Sequence, residues 1–194
     1  MPETRPRLAT VARVQRCAAF LRGMNLGRRR ITNEDLRAHV EALGFADVAT
    51  FRASGNVILG APAEEPVADV ARRLENGLGK ALAYSVPVFV RSAEQMRAMA
   101  AFEPFEAKAL AASKGKLQVV LLSAAPSAAE RRRAHALAPD DDRFAFEGGE
   151  LYWLPSGGLA DTELDLKALE QVVGPITVRT KGTIELIAAK HFAA

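Results

Sequence analysis

Residues 17–59 read CAAFLRGMNLGRRRITNEDLRAHVEALGFADVATFRASGNVIL, and the changes of period inside this stretch decide the fold. Cys17 to Arg22 is an apolar run of the length of a buried strand. It breaks at Gly23-Met24-Asn25-Leu26-Gly27 into Arg28-Arg29-Arg30, and Ile31-Thr32-Asn33-Glu34-Asp35 then opens a helix. Thr32 and Asp35 stand at capping spacing, and acids favour the first turn. Leu36, Val40 and Leu43 form the apolar stripe of that helix, and Gly44 ends it. Strands follow at Val48 to Arg52 and Asn56 to Leu59, turned through Ser54-Gly55. Further out, a second helix begins near Pro66, striped by Val67, Val70, Leu74, Leu78 and Leu82, and Ser85 to Arg91 reads as the closing strand. Residues 16–91 therefore have the order βαββαβ.

The same order returns after a linker. A helix around Ala93 to Ala101 and a loop from Phe102 to Gly115 make residues 92–115 the boundary, and Lys116 to Ser123 is a strand-like run of valine and leucine. Ser127-Ala128-Ala129-Glu130 is a capping box before a short helix. Arg143 to Phe146 and Glu150 to Leu154 flank Gly148-Gly149, a two-residue hairpin signature. Thr162 and Asp165 are expected to cap a helix striped by Leu166, Leu169 and Val173, Pro175 to Thr180 supplies a strand, and Thr183 to His191 an extra helix. The halves share little direct identity, so the repeat rests on element order and on the two hairpins. The expected architecture is α+β: two tandem ferredoxin-like units over residues 16–91 and 116–194, each an antiparallel sheet with helices on one face. Residues 1–15 are expected to be a basic flexible tail.

This topology has a functional consequence. In a split βαβ unit the exit of the first strand and the hairpin joining the second to the third lie at one end of the sheet. Arg22 to Arg30 and Ser54 to Asn56 are expected to line one pocket or rim.

Composition bounds the remaining choices. The chain has 194 residues, 49% of them hydrophobic, enough for one large or two small cores. No apolar run approaches the roughly 18–20 residues that span a bilayer, and the first sixteen residues lack the hydrophobic region of a secretory signal. The single cysteine, Cys17, cannot form an internal disulfide and fits a reducing compartment, so the cytoplasm is the expected location. Net charge is +3, with four arginines and one glutamate in residues 1–16. Subtracting these four from 26 basic residues and this one from 23 acidic residues leaves 22 of each. The folded body is thus formally neutral, and attraction to phosphates must be local, at Arg28 to Arg30 or Arg131 to Arg133.

Within the first loop, Gly23 and Gly27 permit backbone conformations closed to other residues and close approach of a ligand. Arg22 and Arg28 supply charged donors, and Asn25 and Asn56 both donate and accept. An anion site fits these residue types; so does a set of turn glycines, backbone-satisfying asparagines and solvated arginines. His39, His135 and His191 have no metal-ligand spacing around them. Ser54 lacks an identifiable base, and Gly77-Leu78-Gly79-Lys80-Ala81 lacks the spacing and hydroxyl of a phosphate loop. Asp140-Asp141-Asp142 reads as a solvated turn. No cofactor and no metal are expected. RNA-binding modules stack bases on the aromatic open face of a βαββαβ sheet, but Phe20 and one of Tyr152-Trp153 are all this chain offers there.

Leu21-Arg22-Gly23-Met24-Asn25-Leu26-Gly27, Leu43-Gly44-Phe45 and Ser54-Gly55-Asn56-Val57 together resemble an uncharacterised bacterial family, domain of unknown function 1697. Pro104-Phe105 fits a further element, and the resemblance runs from about Arg16 to Leu186. That family's Thr-Thr-Arg-Asn-Trp-Asn-Thr is answered by Thr177-Val178-Arg179-Thr180-Lys181-Gly182-Thr183, which keeps Thr177, Arg179 and Thr183 but not the tryptophan or the asparagines. Its Ser-Lys-Leu is replaced by Thr162-Glu163-Leu164. The resemblance supplies no reaction. It implies a site at Arg22, Gly23, Asn25, Gly27, Ser54, Gly55 and Asn56, to which the residue types add Arg28, with Arg179 read as a structural ion-pair partner or as part of the site. The leading expectation is a protein binding an anionic small molecule or nucleic acid at these loops. The alternatives are an enzyme acting on a small phosphorylated or carboxylated substrate and a partner-binding module.

Overall fold

β1, Val14–Leu21, runs through the centre of the first sheet, and its alternate side chains serve two different cores. Cys17, Ala19 and Leu21 face one way and Ala18 and Phe20 the other, as a period of two requires. Both sets are buried, which is why the run is apolar throughout and not alternating. The computed structural model describes residues 13–24, 30–52, 55–157 and 162–193.

In the first unit α1, Asn33–Ala42, is followed by β2, Ala46–Thr50, and β3, Asn56–Pro62; α2, Val67–Leu82, then leads to β4, Val88–Ser92. Thr32 caps α1 by accepting from the Asp35 amide. Leu36 and Val40 of α1 and Val70, Leu74 and Leu78 of α2 cover the helical face of the sheet. The strand order is β2-β3-β1-β4, all neighbours antiparallel.

α3, Ala93–Ala101, and α4, Ala107–Ala112, make the connection. The segment expected to be a plain loop thus contains a short helix. The second unit comprises β5, Gln118–Leu122, α5, Ala128–His135, β6, Arg143–Glu147, β7, Glu150–Leu154, α6, Leu166–Val173, and β8, Ile176–Thr180, with order β6-β7-β5-β8. Glu147 pairs with Glu150 across Gly148-Gly149, and Gly148 takes φ +56°, as the two-residue turn demands. Asp165 alone caps α6, through the Lys167 and Ala168 amides; Thr162, also expected as a cap, lies before the helix and accepts from the Leu164 amide. α7, Lys181–His191, follows β8 directly with Thr180 as its cap, two residues earlier than expected.

Two βαββαβ units are present as expected, each with α1 and α2 or α5 and α6 on one face. Their other faces are not open. Ala18, Phe20, Ile58 and Phe89 of the first sheet meet Val119, Leu121 and Tyr152 of the second, and Met96 and Met99 of α3 with Ile184, Ile187 and Phe192 of α7 complete this layer. Tyr152 points into it, while Trp153 lies under the helices of the second unit. Neither ring is available for base stacking. Among the described residues no helix is long and apolar enough to cross a membrane.

Phe20 sits fully buried at the centre of the shared layer. Phe20→Ala is expected to cost about 3–5 kcal/mol in urea unfolding. Far-UV circular dichroism and the fluorescence of Trp153, the single tryptophan, should still report one coincident transition.

Candidate functional site

The two loops singled out by sequence do meet. Where β1 ends, the Leu21 amide donates to Gly55 O at 2.7 Å, and the Arg22 amide donates to Pro87 O at 3.0 Å. Gly23 and Gly55 have φ of +74° and +68°, conformations that cost little only for glycine. A Cβ on Gly55 would lie 3.0 Å from both Leu21 O and Met24 Cγ, so glycine is also what allows the hairpin to close on the strand exit. Asn56 begins β3 opposite Phe20, is 1% exposed, and donates from Nδ2 to Phe51 O at 3.2 Å. Asn25, Gly27, Arg28 and Ser54, also expected at the site, lie outside the described residues.

The junction is fastened from the other unit. Arg179 of β8 donates from Nε to Asn56 Oδ1 at 2.7 Å and from Nη2 to Leu21 O at 3.0 Å. Its Nη1 donates to Thr177 Oγ1 at 2.9 Å and Val178 O at 2.8 Å. Burial pushes this guanidinium down to about 10, and its Cζ stands 5.8 Å from the centre of the Phe20 ring. Arg22, whose side chain is 41% exposed, turns outward and forks onto Glu170 of α6, with Nη2 3.0 Å from Oε2 and Nη1 on Oε1. The Arg22 hydrogen bond holds Glu170 below the usual carboxylate range, and Oε1 also accepts the Ile176 amide at 3.2 Å. Glu170 escaped the sequence reading because it is one polar residue on an amphipathic helix, 148 positions from its partner.

An equivalent frame exists in the second unit, with the donor coming from the first. Arg91 stands opposite Ala18 in β1, and Arg179 opposite Val119 in β5, each three residues before the last residue of the paired strand. Arg91 Nη2 donates to Leu122 O at 2.8 Å, its Nη1 to Val90 O at 2.9 Å and its Nε to Glu150. Glu150 lies opposite Leu121 as Asn56 lies opposite Phe20, and Leu122 donates to Gly149 O at 3.1 Å as Leu21 does to Gly55 O. Each unit thus inserts an arginine from its fourth strand into the junction between first strand and hairpin of the other.

The remaining candidates have local roles. Asp142 accepts from Trp153 Nε1 at 2.7 Å and from the Ser156 amide at 2.8 Å, bracing the second sheet. The His135 ring packs edge-on to Phe146 and the His191 ring edge-on to Phe51. Gly77 and Gly79 lie inside α2. Among the described residues no three His, Cys, Asp or Glu side chains group so as to hold a metal ion.

The model of a family described as protein of unknown function (DUF1697) matches residues 14–152. That match ends within β7, before α6 and β8. A solved structure of a conserved bacterial protein from Streptococcus pneumoniae is similar over 91% of this chain and 98% of that one, with a TM-score of 0.67 and 17% identity. At that identity the likeness shows the fold. No curated protein matches the chain.

Removing the Arg179 guanidinium leaves Leu21 O and Asn56 Oδ1 short of donors in a buried place. Arg179→Met is expected to lower stability by about 2–5 kcal/mol in urea unfolding. The Glu170 carboxylate contributes stability that is present above its unfolded value, near 4.5, and is lost as pH falls through its lower folded value. Glu170→Gln should remove that dependence, so the gap in Tm between wild type and variant narrows on acidification from about pH 6 to about pH 3.

Proposed function

The chain belongs to the family of proteins of unknown function DUF1697, and from that premise we propose that its first-unit loops bind an anionic, phosphate-bearing ligand. The observation that carries this reading is the Arg22 fork: a half-exposed guanidinium at the strand exit already holds a planar carboxylate through both of its terminal nitrogens. Carboxylate and phosphate present the same paired oxygens to a guanidinium, so a ligand anion can take the place of Glu170 without rearrangement of Arg22. The backbone beneath it is set in advance by the Leu21–Gly55 bond and by the Arg179 bonds to Asn56 and Leu21, which lowers the cost of ordering on binding. Position 56 supports the same sign of ligand. It carries a neutral amide where the second unit places the Glu150 carboxylate, and so adds no repulsion toward an anion.

A nucleotide or a nucleic-acid phosphate fits this chemistry at the loop rim, because both sheet faces are covered. A cytoplasmic setting suits the protein, whose lone cysteine is buried in β1 with its thiol pushed up to about 11 by burial and by Glu65.

Titration of the labelled protein with inorganic phosphate and then AMP should move the amide resonances of Leu21, Arg22, Gly23 and Gly55 saturably. Arg22→Ala is expected to weaken binding about tenfold or more while lowering stability by no more than about 1 kcal/mol, since the pair is partly exposed. Glu170→Gln, which removes the internal competitor, should tighten it. Shifts that are absent for both probes, or that survive Arg22→Ala undiminished, would refute the reading.

A further inference from the structure

The reciprocal frames extend to the helices, and there the two differ. Val88 and Ile176 are equivalent, standing opposite Leu21 and Leu122 at the ends of β1 and β5. The Ile176 amide donates to Glu170 Oε1 at 3.2 Å, and the Val88 amide to Glu75 Oε1 at 2.9 Å. Glu75 of α2 is therefore the counterpart of Glu170 of α6, each carboxylate anchored to the first amide of its own fourth strand. Glu170 receives Arg22, the first residue after β1. The first residue after β5 is Ser123, whose short side chain reaches only Pro175 O at 3.4 Å. Among the described residues Glu75 accepts no hydrogen bond other than that of Val88 and pairs with no cation.

Where the first junction is filled by Arg22, the second is a cleft of about 680 Å³, with Glu75 and Ser123 on its walls. That volume lies within the range of small-molecule sites. Val67, Ala68 and Ala71 of α2 give an apolar wall for an aliphatic stem, and Gly148-Gly149 lines the cleft with backbone alone. The two arginines on the wall are already engaged, Arg91 with Glu150 and Arg72 with Asp69. We infer that this cleft binds a guanidinium group carried on an aliphatic stem, that of arginine, which pairs with Glu75 as Arg22 pairs with Glu170. The occupant supplies from outside the side chain that the first unit supplies from within. The site is separate from the Arg22 loops and stands or falls independently of the anion proposal.

The test uses the full chain, labelled for amide spectroscopy and titrated with N-acetyl-L-argininamide and with its neutral isostere N-acetyl-L-citrullinamide. Saturable shifts at Val88, Ser123, Gly148 and Gly149 are expected for the arginine compound and none for the citrulline compound. Glu75→Gln keeps a carbonyl for the Val88 amide and should weaken binding about tenfold or more. Ser123→Arg should fill the cleft from within and abolish binding. Free L-arginine binding tighter than the blocked compound identifies the amino acid as occupant, and the reverse order an arginine within a polypeptide. No saturable shift in the wild type, equal response to the citrulline compound, or unchanged affinity in Glu75→Gln overturns the assignment.

Discussion

Two arginines, Arg91 buried and Arg179 half-buried, each donated by one unit to a backbone carbonyl of the other, set how the two sheets face each other. The apolar layer between the sheets supplies most of the attraction, but apolar contact is non-directional and would tolerate many relative orientations. Arg91 and Arg179 do not. A guanidinium taken largely out of water must have its donors satisfied, and here the acceptors are Leu122 O and Leu21 O, fixed points at the ends of the central strands. Sliding one sheet over the other by a single residue would break the bonds that both guanidinium groups make to the opposite unit. The orientation with both clamps made is therefore separated in energy from its neighbours, which is the role best attested for buried ionic groups.

Because the clamps grip the strand-one exits, docking of the units and the shape of the site loops are one event. Leu21 accepts from Arg179 and donates to Gly55, so the hairpin of the first unit is held in place by the second. The surface around Arg22 is built by both halves, with Arg22 from one and Glu170 from the other.

Much of this was legible in the sequence, and the part that was not has a common cause. Capping residues such as Thr32, Ser127 and Asp165, the Gly148-Gly149 hairpin and the stripes of α2 and α6 are local signals, and they located the elements to within a few residues. The meeting of Arg22 and Gly55 followed from topology alone. What escaped were pairings across the shared layer. Arg179 is 123 positions from Asn56 and 158 from Leu21, and nothing in the residues around Glu170 or Glu150 marks them as partners of an arginine in the other unit. The burial of both faces of each sheet was written in the unbroken apolar runs at Cys17 to Leu21 and Val119 to Leu122, but a covered face looks the same in sequence whether a helix or a second sheet covers it.

The duplication also separates architecture from chemistry inside one molecule. Features common to both frames are what the fold requires: the arginine on the fourth strand, the carbonyl at the end of the first, the glycine that meets it, and the carboxylate on the helix that holds the first amide of that fourth strand. Features that differ carry no such obligation, and they are few. Arg22 stands against Ser123, Asn56 against Glu150, and Thr177, which accepts from Arg179, against Phe89, which packs in the apolar layer. Each difference makes the first frame more polar or more cationic and the second more acidic or more open. The two halves share one scaffold and differ in charge at these positions, and it is on this contrast that the two proposed sites rest.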